Sequence, residues 1–469
     1  MLMFSSVAPP DGGSCSGPLV TVLFSVLLIG MIVALAMEEK LHAKKSVIAG
    51  AFALACLFLG AVFEILPFGP IEVGGHAIQI PVYIPAIDWG VVAIILGSSL
   101  FVDVVSKSGL FTWIAIKLTK ASGGDPLKLL MYYGVLTVFF SAVLNNVTAM
   151  IIVGSLTAVS LGRLGRRDKL LGFLLIEGLL TNIGGLLTLI SSVPNIIIGN
   201  AAGISFVEFF SKASPFVVVA TIGTLWMGAK LFGIKSLASS KEQAQAAQLV
   251  SGFDENDGIE TPGFFWFGAA MTILFILTIA TTSALPYLRD LQLGFVALAF
   301  AGIMLVRYRA VADRFYQALD WDLLLFFAAL FVVINVMEHA QVLALIGKGL
   351  EAVIGLGDTI GTAAVLVGSA AFSSVTDNIP LSAMLAKILV GLGEPSESPL
   401  WWAVVFGANL GGNLTPIGSA STLVAVTIIH KHKLDLTFAQ FVKVAFPYAI
   451  VQLLLATAYV LLVLSRVGA

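Results

Sequence analysis

Long apolar runs fill most of the chain, and the polar residues that interrupt them are its most informative positions. Runs of the length needed to cross a bilayer, about 20 residues, lie near Leu19–Met37, Val47–Phe68, Trp89–Val105, Pro215–Leu231, Phe264–Leu285, Leu293–Val306, Leu323–Met337, Leu400–Ile429 and Val444–Leu464. Two longer apolar regions, Leu127–Leu161 and Asp358–Leu392, are each broken by a polar stretch, "LNNVTAM" from Leu144 and "TDNIPLSAM" from Thr376. A third, Leu170–Ile198, contains "TNIGG" at Thr181–Gly185. The pattern predicts an all-α polytopic membrane protein. Its two NN/DN regions are read as re-entrant helical hairpins that enter and leave on one side.

The one long hydrophilic stretch, 234–261, falls mid-chain and reads as a cytoplasmic linker between two halves. The predicted organisation is a tail and first helix (1–45), a first repeat (46–233), the linker (234–261) and a second repeat (262–469). Composition agrees: 58% of the 469 residues are hydrophobic and 11% charged, against about 25% charged in soluble domains. Cys15 and Cys56 are too few for a disulfide framework or a thiolate metal site.

Basic residues set the orientation. With both hairpins re-entrant, about 20 of the 25 Lys and Arg fall on the inner side. Lys212, Arg289, Lys348, Lys387 and Arg466 are left outside. The expected location is the cell membrane with the N-terminus outside. No positive n-region precedes Pro18, so the first run is expected to be a retained helix rather than a secretory signal.

The halves repeat each other. "IDWGVVAIILG" from Ile87 aligns with "LDWDLLLFFAA" from Leu319, pairing Asp88 with Asp320 and Trp89 with Trp321. At the same offset Asn145–Asn146 falls on Asp377–Asn378. After a small gap, "TNIGGLLTLISS" from Thr181 lies against "ANLGGNLTPIGS" from Ala408. Charge sidedness sends the two Trp helices in opposite directions, so the expected fold has two inverted repeats, each with a re-entrant hairpin and a broken transmembrane helix. Paired broken elements in inverted repeats are the architecture of secondary transporters, with the solute held near the midplane.

Non-helical backbone inside a membrane survives only where protein packs it or a cavity adjoins it. Glycine supplies unusual dihedrals, and asparagine supplies donors and an acceptor together. The candidate solute- or ion-binding residues are therefore Asn145, Asn146, Thr148, Asn182, Gly184, Gly185, Asp377, Asn378, Asn409, Gly411, Gly412 and Thr415. The bland alternative for any lone Asn or Thr is interhelical glue; matched breaks in both halves favour a site.

Ionisable groups within spans are functional candidates. Asp377 and Glu177 are the two expected to couple transport to protons. Asp103 is expected to pair with Lys107 at i,i+4. Asp88, Asp320 and Asp322 sit at span starts and read as N-terminal caps or helix-dipole partners. The "HKH" at His430 reads as a solvated basic cluster at an inner helix end. No Lys or Arg lies at the four breaks in sequence, so a cationic clamp for organic anions is not expected.

At these residues the chain resembles the ArsB/NhaD permeases of the ion transporter superfamily, which include arsenite efflux pumps, NhaD sodium/proton antiporters and the albinism P protein. Citrate-transporter-like carriers are more distant members. The resemblance rests on "IDWGVVAIILG…SKSGLF", "LNNVTAM", "IEGLLTNIGG…VPNIII", "TDNIPLSAM" and "GANLGGNLTPIGS", and runs roughly from Ile87 to Phe446. It implies hairpin tips and unwound segments that converge on the solute. One departure stands out: "SSVPN" at Ser191–Asn195 lacks the acid of the "GDPPN" that many sodium–proton and P-protein-like members carry. "TPIGS" at Thr415–Ser419 is closer to the arsenite branch.

The expected activity is proton-coupled efflux of arsenite or antimonite. Sodium/proton antiport is next, then sodium-coupled di- or tricarboxylate carriage, with an ion channel as the reading from another class. No enzyme activity is expected, because no paired-acid, Ser–His or metal constellation occurs at the breaks. Nor is a cofactor expected beyond a coupling proton or sodium ion. The expected partners are a small inorganic solute, the lipid bilayer and a second copy in a homodimer, with no nucleic acid. A separate ATPase subunit would serve any ATP-driven pumping, since no Walker-type motif is present.

Overall fold

The computed structural model describes residues 17–73 and 76–467; Cys15 lies outside the described residues. Among them, ten helices are long and apolar enough to cross a membrane. The first half opens with α1 (Pro18–Ala36), α2 (Lys45–Val62) and α3 (Trp89–Ser106), followed by the shorter α4 (Leu110–Ala121). A helical hairpin follows, α5 (Pro126–Val143) and α6 (Asn146–Arg163). Then comes a broken helix, α7 (Leu170–Gly184) and α8 (Val193–Ala202), and the long α9 (Phe206–Leu231).

The linker carries its own helix, α10 (Ser240–Ser251), which the sequence pattern did not suggest. The second half repeats the series as α11 (Pro262–Thr281), α12 (Pro286–Arg307), α13 (Trp321–His339) and α14 (Val342–Ile354). Its hairpin is α15 (Asp358–Ser373) and α16 (Asn378–Gly391), and its broken helix is α17 (Pro399–Gly411) and α18 (Ala420–Lys431). The last helix is α19 (Phe438–Tyr459). The apolar run over Leu400–Ile429 is thus two helices rather than one span. A small antiparallel hairpin, Pro70–Val73 with His76–Gln79, is an addition that apolar periodicity does not report.

Local chemistry explains many of these boundaries. Asp88 and Asp320 accept from the backbone N–H of Val91 and Leu323, 3.0 Å each, as caps should. Pro at the first turn starts α5, α8, α11, α12 and α17, where its missing N–H costs nothing. Asp322 is no such cap; it accepts from Ser46 Oγ (2.5 Å) and Ser46 N (3.2 Å), tying α13 to α2.

The broken helices form the centre. Every residue of α7 except Leu171, and of α17 except Pro399, is buried. The outer helices expose Val26, Leu54, Trp266, Ile273 and Leu454, as lipid-facing surface requires.

The halves interlock reciprocally. Helix α2 packs on α13 while α12 packs on α3; α6 packs on α18 while α16 packs on α8; α1 meets α14 while α11 meets α4. Helix α1 therefore occupies in its half the place that α11 occupies in the other. Matched residues make the same bonds: Trp89 Nε1 donates to the Ile84 carbonyl (3.0 Å) and Trp321 Nε1 to the Tyr316 carbonyl (2.9 Å).

Candidate functional site

Each hairpin tip is fastened to the break of the adjacent broken helix. Ser141 Oγ lies 2.6 Å from the Thr181 carbonyl and 2.5 Å from Asn146 Oδ1, one hydroxyl proton between two acceptors. Its repeat partner, Ser373 Oγ, donates to the Ala408 carbonyl at 2.6 Å. Thr188 Oγ1 donates to the Ala142 carbonyl (2.6 Å), and Thr415 Oγ1 to the Ser374 carbonyl (2.5 Å). The tips themselves are capped alike. Asn145 Oδ1 accepts from Thr148 N at 2.7 Å, and Asp377 Oδ1 from Ile379 N at 3.0 Å. Asn145 is exposed; Asn146, Thr148, Asp377, Asn378 and Thr415 are half-buried.

Glycine permits this approach. A Cβ on Gly185 would stand 2.7 Å from Asn146 Nδ2, and one on Gly411 2.4 Å from the Ala370 carbonyl. Gly184 and Gly412 are packed as closely, against Val138 and against Ser419 with Gly418. The predicted tip and break residues therefore do come together in each half.

Asn182 and Asn409 are engaged by protein partners. Both are buried, 2% exposed, and both bond across the junction between halves. Asn182 Nδ2 lies 2.8 Å from Asn413 Oδ1, 3.0 Å from Ser419 Oγ and 3.2 Å from Thr422 Oγ1, and its Oδ1 accepts from Ser421 (3.2 Å). Asn409 Nδ2 donates to Asn195 Oδ1 (2.9 Å) and the Val405 carbonyl (2.8 Å), while Ser192 Oγ donates to Asn409 Oδ1 (2.8 Å). Ser192 and Ser419 are repeat partners, so the same stitch is made twice. Asn413 extends the network to Gln452 Oε1 (2.8 Å), and Gln452 Nε2 donates to Thr224 (3.0 Å). Asn195, Asn413, Ser192, Ser419 and Gln452 were missed at the sequence level. A signal for the two serines was present, since they are the identical last residues of the aligned blocks "TNIGGLLTLISS" and "ANLGGNLTPIGS".

The charged groups also differ from expectation. Asp377 Oδ2 lies 2.6 Å from Lys45 Nζ, brought in by the start of α2. A basic residue does reach a hairpin tip, by a contact between residues far apart in the chain. Glu177 is fully buried; its Oε1 accepts from Thr157 Oγ1 at 2.6 Å, and its Oε2 has no hydrogen-bond partner among the described residues. Among the described residues no Asp103–Lys107 ion pair forms; Lys107 Nζ instead sits over the Phe315 ring, 4.8 Å from its centre. His430, Lys431 and His432 are exposed at the end of α18, as expected, and His430 Nε2 also bonds the Leu436 carbonyl at 2.9 Å, across the turn that follows.

With this geometry in place, the likeness to known proteins is informative. Residues 32–407 match the family described as citrate transporter, CitMHS. An uncharacterized transporter of Mycobacterium tuberculosis is 30% identical over 380 residues, covering 80% of this chain and 86% of that one. The human P protein is 26% identical over 466 residues, covering 81% of this chain and 54% of its own length. Among solved structures, the Alcanivorax borkumensis YdaH transporter has a TM-score of 0.60 at 14% identity, over 89% of this chain and 97% of that one. Neisseria gonorrhoeae MtrF has a TM-score of 0.55 at 15% identity, over 94% of each chain. The chain belongs to the citrate transporter family and is an integral membrane transporter.

Proposed function

We propose that the protein is a secondary active transporter that works by alternating access and exports arsenite or antimonite in exchange for protons. The observation that carries this reading is that neutral amides and hydroxyls predominate at the tips and breaks, beside a Lys45–Asp377 pair that is internally neutralised. Asn145, Asn146, Thr148, Asn378 and Thr415 offer amides and hydroxyls suited to a neutral polyhydroxy solute such as arsenous acid. The base that reaches a tip, Lys45, is already engaged by Asp377. An organic anion would need that pair to open, because carboxylates want a cationic clamp.

The reciprocal packing of the halves, together with the charge sidedness of the loops, supports an inverted repeat with the N-terminus outside. Tip and break share one depth, since Ser141 and Thr188 tie them directly. That supports re-entrance for the first hairpin, although its 18-residue arms are long enough to cross by length alone. Glu177 is the proposed proton carrier, and Asp377 the acid that responds to the solute.

The test is uptake into inside-out vesicles, with an imposed pH gradient, of arsenite and of sodium in parallel. Gradient-driven arsenite accumulation, lost in Asn146→Ala, supports the reading. Sodium-dependent collapse of the pH gradient without arsenite movement replaces it with sodium/proton antiport. The carboxylate oxygens of Asp377 are hard ligands that would suit that second reading.

A further inference from the structure

The Lys45–Asp377 pair joins α2 of the first half to the tip of the second hairpin, and the repeat supplies an internal comparison at the first tip. The buried positions of the two helices correspond at one constant spacing: Ile48, Ala49, Ala53 and Cys56 on α2 match Val296, Ala297, Ala301 and Met304 on α12. This registers Ser46 with Gly294 and Lys45 with Leu293. The register is supported by neighbours. Ser46 bonds Asp322, and a Cβ on Gly294 would lie 3.3 Å from the carbonyl of Gly90, the repeat partner of Asp322. Asp377 in turn corresponds to Asn145. At the first tip both positions are uncharged, Leu293 and Asn145; at the second both are charged, Lys45 and Asp377.

The Asp377 side chain is 12% exposed, and its two oxygens are taken by Lys45 Nζ and the Ile379 N–H. Glu38, His42, Lys44 and Asp322 line, with Lys45, an open cavity of about 440 Å³ on the Lys45 side of the pair. Lysine carries a compact point charge on a flexible stem, the shape of charge that a monovalent metal cation would bring to the same carboxylate.

We propose that Lys45 is a tethered cation: its ammonium occupies the place at the Asp377 carboxylate that a sodium ion would otherwise take, which frees the second hairpin from sodium. This rests on reading the tips as the solute site, and it assigns the proton rather than sodium as the coupling ion.

The test is thermal melting of the purified full chain in sodium chloride against choline chloride at equal ionic strength. The wild type melts at the same temperature in both. Lys45→Met gains a saturable stabilisation of about 2–3 °C in sodium, and Lys45→Met with Asp377→Asn loses that gain. If Lys45→Met is not recovered folded, Lys45→Gln serves, and Lys45→Leu with Asp377→Asn reproduces the uncharged pairing of the first tip as a folding control. Equal sodium stabilisation of the wild type overturns the proposal. So does a folded Lys45→Met that ignores sodium, which would make the pair a structural contact only. Melting needs no arsenite, so failed arsenite transport would remove the solute reading and leave this result standing.

Discussion

Replacing Asn182 with alanine separates stitching from solute binding. The amide shares its two N–H protons among Asn413, Ser419 and Thr422 and accepts from Ser421, all in a buried junction. Three effective hydrogen bonds at about 1 kcal/mol each give about 3 kcal/mol; the smaller average measured between membrane helices gives about 2 kcal/mol. The orphaned Asn413 oxygen adds to either figure, so the expected loss is about 2–4 kcal/mol. For a chain of 469 residues this corresponds to a Tm drop of about 2–4 °C. Asn409→Ala should cost a similar amount, because Asn195 and Ser192 give it the matching set. The assay is thermal melting in detergent beside transport KM in vesicles. A lowered Tm with KM unchanged is expected for both variants. An unchanged Tm with KM raised tenfold or more would make these amides solute ligands and refute the stitching role.

Glu177→Gln keeps an acceptor for Thr157 and should fold normally, yet lower pH-gradient-driven accumulation at least tenfold while solute exchange at equal pH persists; vesicle counterflow reads both. Gly411→Ala forces a Cβ to 2.4 Å from the Ala370 carbonyl and should cost about 1–3 kcal/mol. Gly223→Ala, where a Cβ meets nothing within 4 Å, should leave Tm unchanged. In the linker, Lys120 and Lys117 hold the Glu255 carboxyl down at about 2, against 4.5 ordinarily. A lowered carboxyl pKa stabilises above the unfolded value and loses that contribution as pH falls through the folded one. Pepsin nicking of the linker, normalised at each pH to an unfolded substrate, should therefore increase between about pH 4.5 and 2, and Glu255→Gln should remove that normalised dependence.

The helices, the two hairpins and the repeat were legible in the sequence because apolar runs and matched Asn-Gly blocks are local patterns. The tip residues Asn145, Asn146 and Asp377 were legible for the same reason. What sequence could not give was partnership. Lys45 and Asp377 are far apart along the chain, and nothing local announces that α2 begins at the second tip. The partners of Asn182 and Asn409 across the junction were equally hidden, because an amide in an apolar run offers the same atoms whether its partner is solute or protein. The short helices α4 and α14 went unseen because they are too short to register as spans.

Two-sided access to the tips is tested most directly by cysteine labelling in sealed vesicles. Asn146→Cys and Asn378→Cys, each in a background without Cys15 and Cys56, are treated with a membrane-impermeant thiol reagent from either side. Alternating access predicts that each position reacts from both sides, with arsenite shifting the share between them. A position that reacts from one fixed side, whatever the solute, would contradict the transport mechanism proposed for this chain.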